Sequence, residues 1–369
     1  MKKVKKKIAL FFTYGVSLEI WKKKGMLERE LKLYKELSKD FSVIYFITYG
    51  KEDCNFEDEV SKYNIKILYK NKLHFLPDLI YSFFIPFIYK KELSDVDIIK
   101  TNQMLGSWSA IIAKLLYKKY LIVRTGYTLS IFSRRVSKFK WVVSKIIEFF
   151  ALKFADRFIV ATQSEKQYFG DLDKISVIPN YVNTQVFKPM PELKNTEEKM
   201  IALFIGRLNQ QKNLHNAIKA VSHFKNVRLN IIGSGELKDD LERLAKETGA
   251  DVEFLGNKPH DELSAYINTA NFCLFPSLYE GNPKVLLEMM ACGTPIVTTD
   301  VAGINNIVTN KKDAIVVGIS EEEIREGIRL ILENKDDLKN HIGKNALKNI
   351  LESYSFEKIV ELERENYLV

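Results

Sequence analysis

Four charged residues have the types and spacing to hold a diphosphate between hydroxyl-bearing groups. Arg207 and Lys212 lie in GRLNQQKN, directly after an apolar run from Ile201 to Ile205. Arginine offers phosphate a planar fork and lysine a mobile point charge, and a turn after a strand is where open α/β sheets bind ligands. Glu280 and Glu288 flank the start of an apolar helical pattern in YEGNPKVLLEMMACGTPIV. Asn282 reads as the N-cap and Pro283 as the first helical residue, with Gly293 closing the helix and Pro295 opening a buried strand. The N–H groups near Lys284 and Val285 then form an anion site, because a helix start carries free donors and positive dipole. One acid stands before that terminus and one a turn inside it. The set suits a sugar nucleotide: hydroxyls, diphosphate, more hydroxyls. Taken alone, either stretch also reads as a solvated loop or an acidic helix cap.

These residues need a scaffold of strand ends, and the pattern along the chain supplies one. Apolar runs near 6–13, 42–48, 65–69, 97–101, 120–124, 157–161 and 175–178 read as strands, as do 200–205, 228–232, 252–255, 272–275, 295–298 and 314–317. Helical patterns intervene at most steps. The expected fold is therefore α/β: two doubly wound, parallel-sheet (Rossmann-like) domains facing across a cleft. The expected division is 1–184, a linker over 184–199, and 197–354, with a last helix, 355–369, returning to the first domain. Thr13 to Ser17, Thr101 to Gly106 and Arg124 to Tyr127 are expected to line the cleft from the first side. Gly15 there permits close backbone approach to a diphosphate or sugar.

With 369 residues and 46% hydrophobic content, the chain can bury two cores. Cys54, Cys273 and Cys292 show no metal spacing and no disulfide framework, which fits a reducing compartment. The basic start leads into a short apolar run that reads as a first strand rather than a signal peptide, and no apolar run is long enough to span a bilayer. The net charge of +9 is uneven: residues 1–190 hold 34 Lys/Arg against 19 Asp/Glu, and the remainder 22 against 28. A basic first half beside an acidic second half points to an anionic surface or substrate. Its densest part, 131–158, interleaves Arg134, Arg135, Lys138, Lys140, Lys145 and Lys153 with Phe139, Trp141, Ile146, Ile147, Phe149 and Phe150. As a helix it can lie at a membrane interface or pack an apolar stripe on the sheet with lysines in solvent. Phe75 to Tyr89 reads as a packed crossover helix or a lipid-facing lobe. His74, within that apolar surrounding, reads as packed and partly buried.

GRLNQQKN, the two spaced glutamates with PSLYEGNPKVLLEMMACGTPIV around them, VIPNYVNTQVFKP and the terminal YSFEKIVELERENYL together resemble the retaining glycosyltransferases of the GT-B group called family 4. The resemblance covers nearly the whole chain and is strongest over 177–310. It implies that Arg207 and Lys212 hold the donor diphosphate, that Glu280 addresses the transferred sugar, and that Glu288 addresses the ribose. Gly206, Asn282, Lys284 and Val285 would complete the donor site. Many members have Phe-Gly where Asn282-Pro283 stands, glycine where Asn213 follows the lysine, and aspartate where Asn183 stands. Many also carry a first-domain histidine that YLIVRTGYTLS lacks; Asn102, Arg124 and Tyr127 remain as acceptor-side candidates.

Two other patterns carry less. Gly233-Ser234-Gly235 imitates a dinucleotide fingerprint, but Lys238 stands where its third glycine belongs, so a tight turn is expected. Asp95-Val96-Asp97 has the form of a metal-holding pair, yet it precedes its strand instead of following it. No nucleic-acid reader motif is present. The expected function is a metal-independent, anomer-retaining glycosyltransferase with a UDP- or GDP-sugar donor and a glycan or lipid-linked acceptor. It would require no cofactor and would be cytoplasmic, peripheral on the inner face of the plasma membrane. The alternatives are a GT-B-shaped sugar-nucleotide 2-epimerase and a catalytically silent glycan or lipid binder.

Overall fold

The computed structural model describes residues 5–134, 137–193, 195–334 and 339–368. Arg135 lies outside the described residues. The chain divides into two compact units, Met1–Ile178 with Val360–Val369, and Pro179–Ile359.

The first unit is a seven-stranded, all-parallel sheet. Its strands are β1 (Lys7–Phe11), β2 (Val43–Ile47), β3 (Ile65–Leu68), β4 (Ile98–Thr101), β5 (Tyr120–Arg124), β6 (Arg157–Val160) and β7 (Ile175–Val177), in the order β3-β2-β1-β4-β5-β6-β7. The second unit repeats the plan with β8 (Met200–Ile205), β9 (Val227–Ile232), β10 (Val252–Gly256), β11 (Phe272–Phe275), β12 (Ile296–Thr299) and β13 (Ile315–Val317), ordered β10-β9-β8-β11-β12-β13. β8 and β11, central in the second sheet, are continuous apolar runs buried throughout, as parallel sheets covered by helices require. In each sheet the strand order reverses beside the first strand, between β1 and β4 and between β8 and β11. The loops leaving those pairs diverge to opposite faces and open a crevice at their carboxyl ends.

The segment 184–199 is packed on the second unit: Phe187 is buried in its core beside Val182, and the Met190 N–H donates to Asn268 Oδ1 at 2.7 Å. Apolar side chains thus hold the stretch read from sequence as the linker. The last helix, Phe356–Glu365, places Glu363 in the first unit, fully buried. There Lys100 Nζ donates to Glu363 Oε2 at 2.6 Å and to Tyr367 Oη at 2.8 Å, and Arg124 Nη1 donates to Glu363 Oε1 at 2.7 Å. Burial alone would raise the Glu363 carboxyl, but Lys100 and Arg124 beside it hold it below the usual carboxylate range.

Among the described residues, no helix is long and apolar enough to cross a membrane. Two helices replace the single one expected over 131–158: Leu129–Arg134 and Lys138–Phe154. Phe75 to Tyr89 supplies the crossover helix Asp78–Ile88 with Pro86 inside it. Pro86 has no N–H for the Ser82 carbonyl, and Ser109 Oγ donates to that oxygen instead, at 2.6 Å. His74 is exposed, not packed: it sits in the loop ahead of this helix, its ring nearly perpendicular to that of Phe75 with centroids 6.1 Å apart.

Candidate active site

The site in the second unit assembles at the reversal between β8 and β11. β8 ends at Ile205 and the chain turns through Gly206, Arg207 and Leu208 into a single helical turn, Gln210–Lys212. β11 ends at Phe275 and leads through Pro276 to Glu280. Two bonds fasten these loops: the Leu278 N–H donates to the Gln211 carbonyl and Gln211 Nε2 to the Tyr279 carbonyl, each at 2.8 Å. The Lys212 ammonium consequently pairs with Glu280 Oε1. It also stands 5.0 Å from the Phe275 ring centre. Both side chains are largely buried, at 12% and 9% exposure, so the pair sits in a medium where charge interactions outweigh those in water.

Backbone close approach holds the loops in place. A Cβ on Gly233 would fall 1.9 Å from the Gly206 carbonyl oxygen, and one on Gly235 would fall 2.3 Å from that of Leu208. The Gly-Ser-Gly turn is therefore the floor on which the Arg207 turn rests. Gly303, after β12, does the same for the other loop: a Cβ there would lie 2.4 Å from the Glu280 carbonyl oxygen. Asn213 follows the lysine with φ of +54°, a left-handed conformation that glycine or asparagine tolerates best. It starts the Leu214–Ser222 helix without capping it; its Nδ2 donates to the Ile319 carbonyl at 2.9 Å.

The helix Lys284–Ala291 begins one residue later than the expected cap. Pro283 occupies the N-cap position, and no side chain caps the first turn. Asn282 is buried, and its Oδ1 accepts from the Asn180 N–H at 3.1 Å while Asn180 Nδ2 donates to the Asn282 carbonyl at 2.7 Å. The asparagine that looked like a cap is a brace for the loop. The Val285 and Leu286 N–H groups have no intrahelical acceptor, and the helix dipole adds to their attraction for an anion. Glu288 points from the inner face of this helix, and His260 Nε2 lies 2.8 Å from its Oε1. His260 was not singled out from sequence; it precedes its helix by a few residues in an ordinary polar loop. Arg207 is exposed, with no ion pair among the described residues.

In the first unit, Gly15, Asn102 and the 124–127 turn gather at the carboxyl ends of β1, β4 and β5. Tyr14 N–H donates to the Leu105 carbonyl at 3.0 Å, and Gly126 N–H to Gln103 Oε1 at 2.8 Å. A Cβ at Gly15 would meet only Asp78 Oδ2, at 3.8 Å. Asn102 Oδ1 accepts from Tyr34 Oη at 3.5 Å, and Tyr127 is exposed. Arg124, at the end of β5, is ion-paired through its Nη1 with Glu363 Oε1 at 2.7 Å. Asp97 and Asp95 lie at the opposite, amino end of the sheet, where they accept from the Lys7 N–H and Nζ at 2.7 and 2.6 Å. Cys273 and Cys292 are core residues: burial pushes the Cys292 thiol up to about 12 and raises Cys273 as well.

Known proteins with this pattern are sugar-transferring enzymes. Residues 187–349 match the family described as glycosyl transferases group 1, and residues 31–186 match glycosyltransferase family 4. An uncharacterized glycosyltransferase of Methanocaldococcus jannaschii is 35% identical over 171 residues, which is 45% of this chain and 43% of that protein. An Escherichia coli UDP-Gal:alpha-D-GlcNAc-diphosphoundecaprenol alpha-1,3-galactosyltransferase is 28% identical over 251 residues, 62% of this chain and 64% of that one. The matched stretch thus spans about half to two thirds of these curated relatives. Among solved structures, Thermosynechococcus elongatus sucrose-phosphate synthase superposes with a TM-score of 0.78 at 19% identity over 98% of both chains. Anabaena HepE in complex with UDP and glucose does so at 0.77 and 17%, over 98% of this chain and 99% of that one. With two Rossmann-like units of the GT-B class and matches running from residue 31 to residue 349, the chain belongs to the group 1, family 4 glycosyltransferases.

Proposed function

We propose that the protein is a retaining, metal-independent glycosyltransferase that moves a hexose from a UDP- or GDP-sugar to a glycan or lipid-linked acceptor at the cytoplasmic face of the plasma membrane. The observation that carries this reading is the Lys212–Glu280 pair at the sheet reversal, beside the uncapped start of the Lys284–Ala291 helix. A donor diphosphate placed there meets the Lys212 ammonium, the exposed Arg207 guanidinium and the first-turn N–H groups. As the diphosphate leaves, those groups take up its growing charge; such preorganised stabilisation is commonly the largest single contribution to rate. Glu280 accepts hydroxyls of the transferred sugar and Glu288 those of the ribose. Retention by attack on the face the diphosphate leaves is carried over from the family resemblance. The E. coli relative, whose acceptor is diphosphoundecaprenol-linked by its name, supports the lipid-linked acceptor, and HepE, with UDP and glucose bound, supports the donor class.

A thermal-shift panel of nucleotide sugars tests the reading. A donor at a hundredfold excess over its Kd adds about 2.7 kcal/mol of stability and should stand apart from the rest. Incubation of that donor without acceptor should release sugar slowly by hydrolysis. Accumulation of an epimer would replace the transferase by the epimerase, and a panel with no shift at all would leave a silent binder.

A further inference from the structure

We propose that three neighbouring helices of the first unit, Asp78–Ile88, Ser107–Tyr117 and Lys138–Phe154, form one docking surface for an anionic lipid bilayer. The inference rests on the membrane-face part of the reading above and is independent of its donor chemistry.

The Lys138–Phe154 helix is packed inside out. Its buried residues are Ser144, Glu148 and Ala151. Phe139, Val142, Val143, Ile146, Phe149 and Phe150, which form one stripe at helical spacing, lie on the solvent side and are 38% to 77% exposed. Asp78–Ile88 behaves alike: Tyr81, Ser82, Ile85 and Pro86 face inward, while Leu79, Ile80, Phe83, Phe84 and Phe87 are 45% to 57% exposed. The Ser107–Tyr117 helix packs against both. Its Trp108 Nε1 donates to Ser82 Oγ at 2.8 Å, its Tyr117 Oη donates to the Pro86 carbonyl at 2.8 Å, and its own Leu115 and Leu116 are exposed. A surface this rich in aromatic and aliphatic groups marks an interaction site rather than ordinary scatter.

The charges choose the occupant. Lys138, Lys140, Lys145 and Lys153 are exposed around the stripe. Glu148, the acid of that helix, is buried and accepts from the Ser130 N–H at 2.7 Å. Asp78, the acid of the other helix, is ion-paired to Lys70 at 2.6 Å. The outward surface therefore presents apolar groups ringed by cations, with its acids turned in or neutralised. Acyl chains below anionic headgroups complement that arrangement, whereas a second copy would set like charges against each other. None of these helices can cross a bilayer, so they lie on it.

The test is co-sedimentation of the full chain with phosphatidylglycerol–phosphatidylcholine vesicles, compared with phosphatidylcholine alone, at low and high salt. Capture that needs the anionic lipid and weakens with salt is the expected result. Phe87→Glu combined with Phe139→Glu and Ile146→Glu, all at exposed positions, should reduce partitioning about tenfold or more, as should Lys138→Glu with Lys140→Glu. The nucleotide-sugar thermal shift should stay unchanged in both variants. Absence of capture, or equal capture of the variants, overturns the inference; so does a dimer, seen by light scattering, that the apolar substitutions abolish without any lipid capture. A wild-type chain that binds vesicles but gives no nucleotide-sugar shift would sink the donor reading and leave this surface standing.

Discussion

The Lys212 ammonium is ion-paired with the Glu280 carboxylate across 68 residues of chain, on two loops that leave adjacent strands in opposite directions. Each group orients the other in a largely buried position. Under the proposed reading, a diphosphate entering beside Lys212 would exchange one anionic partner for another and would free Glu280 to accept sugar hydroxyls.

Lys212→Ala should lower turnover on the donor identified by the panel by about a hundred- to thousand-fold, or about 3–4 kcal/mol, with the fold intact by circular dichroism. Glu280→Gln should also be slow. The double variant should lose clearly less than the sum of the two, since contacting residues couple by roughly 0.5–3 kcal/mol. Strict additivity would mean that the two side chains act independently, and wild-type-like turnover of Lys212→Ala would remove the mechanism.

His260 should act by positioning Glu288. Its Nε2 lies 2.8 Å from the carboxylate, and its ring packs edge-on to Phe187 with centroids 5.1 Å apart. Glu288→Ala should weaken donor binding strongly. His260→Ala should weaken it about tenfold, in line with ~1.5–3 kcal/mol for a hydrogen bond to a charged group, while kcat at saturating donor stays close to wild type. His260→Gln, which can still donate, should recover part of the loss. A fall in kcat with unchanged donor affinity would show that His260 does something other than hold Glu288.

Acid should loosen the first unit through Glu363. Its folded pKa lies below the ordinary 4.5, so its contribution to stability is complete above that value and is lost as pH falls through the lower folded value. Glu363→Gln leaves Lys100 buried without its carboxylate, and breaking such a pair from one side costs about 3–5 kcal/mol. The variant should therefore be less stable at pH 7, and its melting temperature should vary less between pH 5 and pH 3 than that of the wild type. An unchanged slope would place the acid sensitivity on other carboxylates.

Composition and local pattern were enough to define the strands, because each buried parallel strand is a short apolar run bounded by turns, and its period does not depend on distant residues. The GRLNQQKN and Glu280–Glu288 segments were legible for the same reason: their spacing is local. Three features were decided only by tertiary contacts. Asn282 braces Asn180 instead of capping its helix, since a side chain with two donors and an acceptor goes to whichever partner the fold brings nearest. Arg124 has a buried carboxylate partner, Glu363, that arrives from 239 residues away and that no local pattern announces. The outward stripe on Lys138–Phe154 has the same helical period as an inward one. Periodicity shows that a helix has an apolar face, but which way that face turns depends on what the rest of the chain packs beneath it.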